Sequence, residues 1–281
     1  MTALRGPAQC ERVTAPARAD ADAVKACRAA RGRRRCRESM PGCPRPAQCE
    51  RVKTVIKGVI FDIDGVILDS LLIWEDLGAR YLRKHNIEPE EGLNRVLFPM
   101  SMEQGAEYLT GHYPLRVSSL EVVSGLREML RDYYFDEVRA KEGARELLED
   151  LSARGIRITA ATSSPREHVT RALARNGLLP FFEKIFTTSE MGTSKHAPDI
   201  YNAAAAFMGT QPSETAVFED SLYALKTAKA AGYAAFGVFD MLGEPDQDGM
   251  RRTADVYVER LSDATTLLSS RGTSWPAGSP F

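Results

Sequence analysis

With 281 residues, 43% hydrophobic and 27% charged, the chain can form one large α/β domain, or a domain with a smaller insert. The composition is that of a soluble globular protein, and no apolar run approaches the roughly 20 residues that cross a bilayer, which excludes a helical membrane protein. The net charge of -1 hides an asymmetry: residues 1–53 carry 13 Lys and Arg against 5 Asp and Glu, and the remainder 24 against 33. All five cysteines (Cys10, Cys27, Cys36, Cys43 and Cys49) also precede residue 54, so the rest of the chain has none, as suits a cytoplasmic enzyme that does without disulfides.

Residues 1–53 have no sustained helical or strand periodicity beyond a short predicted helix around Ala21–Ala30. They hold the run Arg31-Gly32-Arg33-Arg34-Arg35 and few large apolar residues, too little buried surface to offset ordering entropy. The heptapeptide Pro-Ala-Gln-Cys-Glu-Arg-Val occurs at 7–13 and again at 46–52, but two copies do not make a solenoid. The cysteines lack the paired spacing of a zinc module, with no histidine nearby, and no aromatic residues interleave with the basic ones to stack on bases. The segment is expected to be a disordered basic extension, or upstream sequence joined by a misplaced start, with Met40 one alternative start.

Val55–Phe61 is an apolar, β-branched run suited to a central strand of a parallel sheet, and it ends in Asp62-Ile63-Asp64-Gly65. Helical spacing follows over 71–85, 101–109, 119–134 and 140–154. The strand Ile156–Ala161 leads to Thr162-Ser163-Ser164-Pro165 and a helix that stops near Asn176-Gly177. Then come a strand at Lys184–Thr187, a loop carrying Lys195, a helix from Pro198 to about Met208, and a strand Ala216–Phe218 ending in Glu219-Asp220-Ser221. A helix Leu222–Ala231 and strands Ala234–Val238 and Val256–Val258 complete the pattern. Strands alternating with helices predict a doubly wound, Rossmann-like α/β core over 54–70 and 141–262, with an all-helical cap inserted at 71–140. Residues 263–281, rich in Ser, Gly and Pro towards their end, are expected to be a disordered tail.

In a parallel sheet all strand C-termini share one edge, so Asp62, Asp64, Thr162, Ser163, Lys195, Glu219 and Asp220 can converge there. Clustered carboxylates repel unless a cation sits among them, and hard oxygens suit Mg²⁺. A lysine and hydroxyl donors beside that cation would neutralise phosphoryl oxygens, one carboxylate could attack phosphorus, and a second could shuttle the proton. Taken singly these residues have plainer readings: Thr162 and Ser163 as helix N-caps, Lys195 as a surface lysine, Glu219 as a supporting group. The four histidines show no mutual spacing that suggests a metal site or a triad.

Together the motifs resemble the haloacid dehalogenase superfamily, over roughly residues 54–262. Asp62-Ile63-Asp64-Gly65-Val66 matches its first motif, Thr162-Ser163 the second, Lys195 the third and Glu219-Asp220-Ser221 the fourth. Ser194-Lys195-His196-Ala197-Pro198-Asp199-Ile200-Tyr201 is similar to a segment of the subgroup containing beta-phosphoglucomutase. The resemblance implies a C1-type helical cap, with Asp62 as nucleophile and Asp64 as general acid/base. It also implies that Thr162, Ser163 and Lys195 hold phosphate, and that Mg²⁺ is bound by Asp62, the Asp64 backbone carbonyl, Asp220 and Glu219. Asp64 implies phosphate-ester rather than dehalogenase chemistry, and no cap lysine is convincingly placed for a Schiff base, Lys84 and Lys141 being the nearest candidates.

The expected function is a Mg²⁺-dependent phosphatase of a small phosphorylated metabolite, acting through an aspartyl-phosphate, with neither membrane nor nucleic-acid partner. One alternative is a beta-phosphoglucomutase-like isomerase; mutases of that kind carry a cap His-x-x-Trp-type segment, where this chain has Leu71-Leu72-Ile73-Trp74-Glu75 without histidine. The other is a non-catalytic protein acting through the basic arm. Arg95 and Phe98–Met102 are the expected substrate-selecting positions of the cap.

Overall fold

The computed structural model describes residues 55–97 and 99–270. Strand β1 spans Gly58–Phe61 and all four of its residues are buried, as the unbroken apolar run requires. Next come four cap helices: α1 (Leu72–Lys84), α2 (Leu93–Leu97), α3 (Met102–His112) and α4 (Ser119–Asp132). Ser101 and Ser118 start α3 and α4 with capping boxes, each side chain accepting from the backbone three residues on. A wide π-helical turn, Tyr133–Glu137, ends the cap, and helix α5 (Ala144–Ala153) begins the return to the sheet.

The remaining elements alternate as β2 (Arg157–Thr162), α6 (Arg166–Arg175), β3 (Lys184–Thr187), the single turn α7 (Thr188–Met191), α8 (Asp199–Met208) and β4 (Thr215–Glu219). Then follow α9 (Leu222–Ala230), β5 (Ala234–Val238), α10 (Gln247–Thr253), β6 (Val256–Val258) and α11 (Leu261–Ser270). All six strands are parallel in the order β3-β2-β1-β4-β5-β6. The order reverses at β1, which lies between β2 and β4, and ligands of open α/β sheets bind at such a switch point. The fold is therefore the doubly wound, Rossmann-like sheet that the sequence predicts.

Alternate strand residues face opposite sides. Val59, Phe61 and Phe218 join one core with Leu147, Leu148, Val169 and Leu173, whereas Ile60 and Val217 join another with Ile200, Tyr201 and Ala204 of α8. Strand β1 is shorter than the predicted Val55–Phe61, because Val55 is half exposed and pairing begins only at Gly58. Helices α2, α7, α10 and α11 are additions to the predicted pattern. The tail expected from residue 263 is helical as far as Ser270, since Leu261 and Ala264 are three apart and both bury in the main core. The extension at 1–53, the rest of the tail and Phe98 lie outside the described residues. No helix among those described is long and apolar enough to cross a membrane.

Phe218 is fully buried, its ring centroid 4.7 Å from that of Phe61 and 4.5 Å from that of Phe236. Phe218→Ala is expected to cost about 3–5 kcal/mol, read as a lower urea midpoint at unchanged slope.

Candidate active site

The Asp62 amide donates to the Phe218 carbonyl at 2.9 Å, extending the β1–β4 pairing one residue past the end of β1. That register puts the Asp62 side chain beside those of Glu219, the last residue of β4, and Asp220. One carboxylate oxygen from each of the three lies within 4.8 Å of the others, and all three residues are buried.

Lys195, 3% exposed, reaches into this cluster from the loop before α8. Its Nζ lies 2.6 Å from Asp62 Oδ1 and 2.9 Å from Glu219 Oε1. Burial alone would discharge the ammonium, but Asp62 and Glu219 outweigh it and raise the lysine above its ordinary range. Burial likewise pushes up Glu219 to about 8 and Asp220 to about 7, with the Asp62 charge adding to both and Lys195 opposing. Asp62 is raised as well, by burial first, against the pull of Lys195. Three carboxylates facing one ammonium leave a deficit that a divalent cation would fill. Tyr201 donates to Glu219 Oε1 at 2.7 Å, whereas Glu219 Oε2 is buried with no hydrogen-bond partner among the described residues, an oxygen free for a cation. This hard-oxygen donor set fits magnesium.

The Asp64 side chain is not one of the three clustered carboxylates, although its charge is felt by Asp62. Its Oδ1 accepts from Ser70 Oγ at 2.6 Å and Tyr134 OH at 2.5 Å; its Oδ2 accepts from Ser164 Oγ at 2.6 Å and, at 3.5 Å, from Thr162 Oγ1. Thr162 Oγ1 in turn accepts from the Ser164 amide at 3.0 Å, which shapes the loop between β2 and α6. Burial, then the Asp64 charge, raises the Tyr134 phenol well above its usual range, so it stays a donor.

A tight turn separates Asp64 from the cap. Gly65 has φ +71°, and a Cβ there would lie 2.3 Å from Asp220 Oδ2, so both conformation and space demand glycine. The two linkers between cap and core pair with each other: the Asp69 amide donates to the Arg139 carbonyl and the Lys141 amide to the Ile67 carbonyl, both at 2.9 Å. Lys141 Nζ clamps this junction by donating to the Gly65 carbonyl (2.5 Å), the Phe239 carbonyl (2.9 Å) and Asp240 Oδ2 (2.6 Å).

Of the seven side chains expected at the site, Asp62, Lys195, Glu219 and Asp220 form one cluster, and Asp64 and Thr162 meet beside it. Ser163 is exposed, and its neighbour Ser164 makes the contact with Asp64. Sequence reasoning missed Ser70, Tyr134, Ser164, Tyr201 and the clamp made by Lys141. Within the cap, Trp74, Leu97, Met100, Met102 and Leu109 line an apolar cavity of about 260 Å³, which the site carboxylates do not enter.

A family model for haloacid dehalogenase-like hydrolases matches residues 56–232. The chain is 25% identical over 190 residues to the phosphorylated carbohydrates phosphatase of Thermotoga maritima, covering 67% of this chain and 88% of that protein. It is 28% identical over 224 residues to the beta-phosphoglucomutase of Bacillus subtilis, covering 76% of this chain and 93% of the other. Its fold is similar to that of a haloacid dehalogenase family hydrolase from Deinococcus radiodurans R1, whose crystal structure holds phosphate and sodium. The TM-score is 0.63 at 24% identity, over 80% of this chain and all of the other.

Carboxyls whose folded pKa is raised bind protons that the unfolded chain has already lost. From the unfolded carboxyl range, about 4, up to the raised values of about 7 and about 8, these groups therefore make metal-free stability fall as pH rises. A bound cation replaces those protons, so stabilisation by magnesium should grow between about pH 5 and about pH 8. Thermal unfolding with magnesium and with a chelator checks this, and an equal difference at both ends of the range would contradict it.

Proposed function

This chain belongs to the haloacid dehalogenase-like hydrolase family, and from that premise we propose that it is a magnesium-dependent phosphatase of a small phosphorylated metabolite, working through an aspartyl-phosphate on Asp62. The observation that carries this reading is the Asp62 carboxylate at the sheet's switch point, with Oδ1 held at 2.6 Å by Lys195 and Asp64 two residues on. A carboxylate so fixed is oriented for attack, and the same lysine can neutralise a phosphoryl oxygen beside it.

In the first step an Asp62 carboxylate oxygen bonds to phosphorus while the ester P–O bond breaks, and Asp64 donates its proton to the departing alcohol oxygen. In the second, Asp64 takes a proton from water as that water attacks phosphorus, releasing phosphate and restoring the Asp62 carboxylate. Thr162 and Ser163 would hold the phosphoryl group at the start of α6, where backbone amides point outward. Asp62, Asp220 and Glu219, with the Asp64 backbone carbonyl, would hold magnesium, which when bound draws charge off the phosphoryl oxygens.

The names of the relatives support a phosphorylated carbohydrate as the class of substrate. Leu71-Leu72-Ile73-Trp74-Glu75 supplies no histidine to grip a sugar phosphate through a second transfer, which supports hydrolysis over isomerisation. A cysteine-free catalytic region suits a reducing compartment, and a cytoplasmic location is part of the same reading.

Purified protein with magnesium is expected to release phosphate from members of a panel of sugar phosphates and nucleotides, and Asp62→Asn to lower that rate by about 1,000-fold or more with little change in melting temperature. Release from no member of the panel, or undiminished release by Asp62→Asn, would contradict the proposal. Conversion of β-glucose 1-phosphate to the 6-phosphate faster than phosphate release would establish the isomerase instead.

A further inference from the structure

Asp64 is gripped from both linkers of the cap. Ser70 precedes α1 on the incoming linker, Tyr134 lies in the π-helical turn that begins the outgoing one, and both hydroxyls donate to the same oxygen, Oδ1. That fills the two lone pairs of Oδ1. The other oxygen, Oδ2, faces the loop at the end of β2, where Ser164 is a close donor and Thr162, at 3.5 Å, a marginal one. Of the two oxygens, Oδ2 has the spare capacity, and it lies against the loop where the phosphoryl group is proposed to sit.

Tyr134 is built to hold this place. Its side chain is 3% exposed, its ring is 6.2 Å from Tyr133 at a right angle, and its ring centroid lies 5.4 Å from His168 on α6. The Val138 amide donates to the Tyr133 carbonyl five residues back, the bond that defines the widened turn. Such turns are costly relative to regular helix and recur at functional positions. Packed between cap and core, the phenol has little freedom to point elsewhere.

We propose that Tyr134 is a positioning residue for protonation of the leaving group: it pins Asp64 Oδ1, and so turns Oδ2 towards the departing oxygen. The inference rests on the reading of Asp64 as the general acid. Tyr134 touches neither phosphorus nor the leaving oxygen; it acts through Asp64 alone.

A good leaving group separates this role from a merely structural one, because nitrophenolate departs without a proton whereas an alkoxide needs one. The experiment compares kcat/KM, which reports only the steps up to phosphoryl transfer onto Asp62, for p-nitrophenyl phosphate and for the best alkyl phosphate of the panel, in wild type, Asp64→Asn, Tyr134→Phe and Tyr133→Phe. Tyr133→Phe removes a neighbouring phenol that donates to the Asp69 carbonyl at 3.2 Å, and so controls for loss of a hydroxyl at the same junction. Tyr134→Phe should lower kcat/KM on the alkyl ester by roughly 10- to 100-fold with a much smaller loss on the nitrophenyl ester, in the same sense as Asp64→Asn. Tyr133→Phe should leave the ratio of the two rates as in wild type. Equal losses on both esters in Tyr134→Phe, or no loss on either, would overturn the positioning role while a selective Asp64→Asn defect left the general-acid reading standing. Equal losses on both esters in Asp64→Asn would overturn that reading itself, and this inference with it. A melting temperature close to that of wild type shows that Tyr134→Phe is folded, so that equal losses on both esters then report the chemistry and not a collapsed protein.

Discussion

Three carboxylates meet where β1 and β4 end, and the Lys195 ammonium, 2.6 Å from Asp62 and 2.9 Å from Glu219, favours their charged forms against the burial that opposes them. Gathering charges out of water costs several kcal/mol per ion, and a buried pair seldom recovers more than it loses. Hydrophobic residues would hold these strands together at least as well, so the arrangement makes sense as an outlay for chemistry rather than for stability. The sheet supplies what the site requires. Phe61 and Phe218 are neighbours in register, so the residues that follow them, Asp62 and Glu219, are neighbours too. The paired aromatic rings beneath give those two strand ends a rigid floor.

The second constraint is the junction between cap and core. Gly65 turns the chain away from Asp64 with no room for a Cβ, and the paired linkers, clamped by Lys141, bring the cap's two ends together beside the site. As a result, residues 70 positions apart, Asp64 and Tyr134, share a hydrogen bond. A cap mounted this way can govern access to the carboxylates without contributing to the sheet, and its own apolar cavity lies among its helices.

Much of this was legible in the sequence for physical reasons. A run such as Val59-Ile60-Phe61 can only be buried on both faces, and carboxylates directly after it must stand at the C-terminal edge of a parallel sheet. The same logic applied to Ala161-Thr162 and Phe218-Glu219, and the strands at Lys184–Thr187 and Ala234–Val238 were legible to the residue. What escaped was of two kinds. Short or weakly patterned helices, such as Leu93–Leu97 and Leu261–Ser270, draw their stability from tertiary burial rather than from periodicity. Side chains that reach the site from afar carry no local signal: Tyr134 reads as one more aromatic on a cap helix, and only the π-helical turn brings its hydroxyl to Asp64. The choice between Ser163 and Ser164 depended on the loop geometry set by the Ser164 amide on Thr162, which composition does not specify. Lys141, which has no local pattern to mark a role, is tied to two carbonyls and a carboxylate at the junction.

The central claim is that Asp62 itself becomes phosphorylated. Turnover of an active substrate quenched in acid within a few milliseconds, followed by proteolysis and mass spectrometry, tests it most directly. The account predicts a single added phosphoryl group on the peptide containing Asp62, forming before free phosphate accumulates. Phosphate release with no modified Asp62 at any quench time, or a phosphoryl group found on another residue, would contradict it.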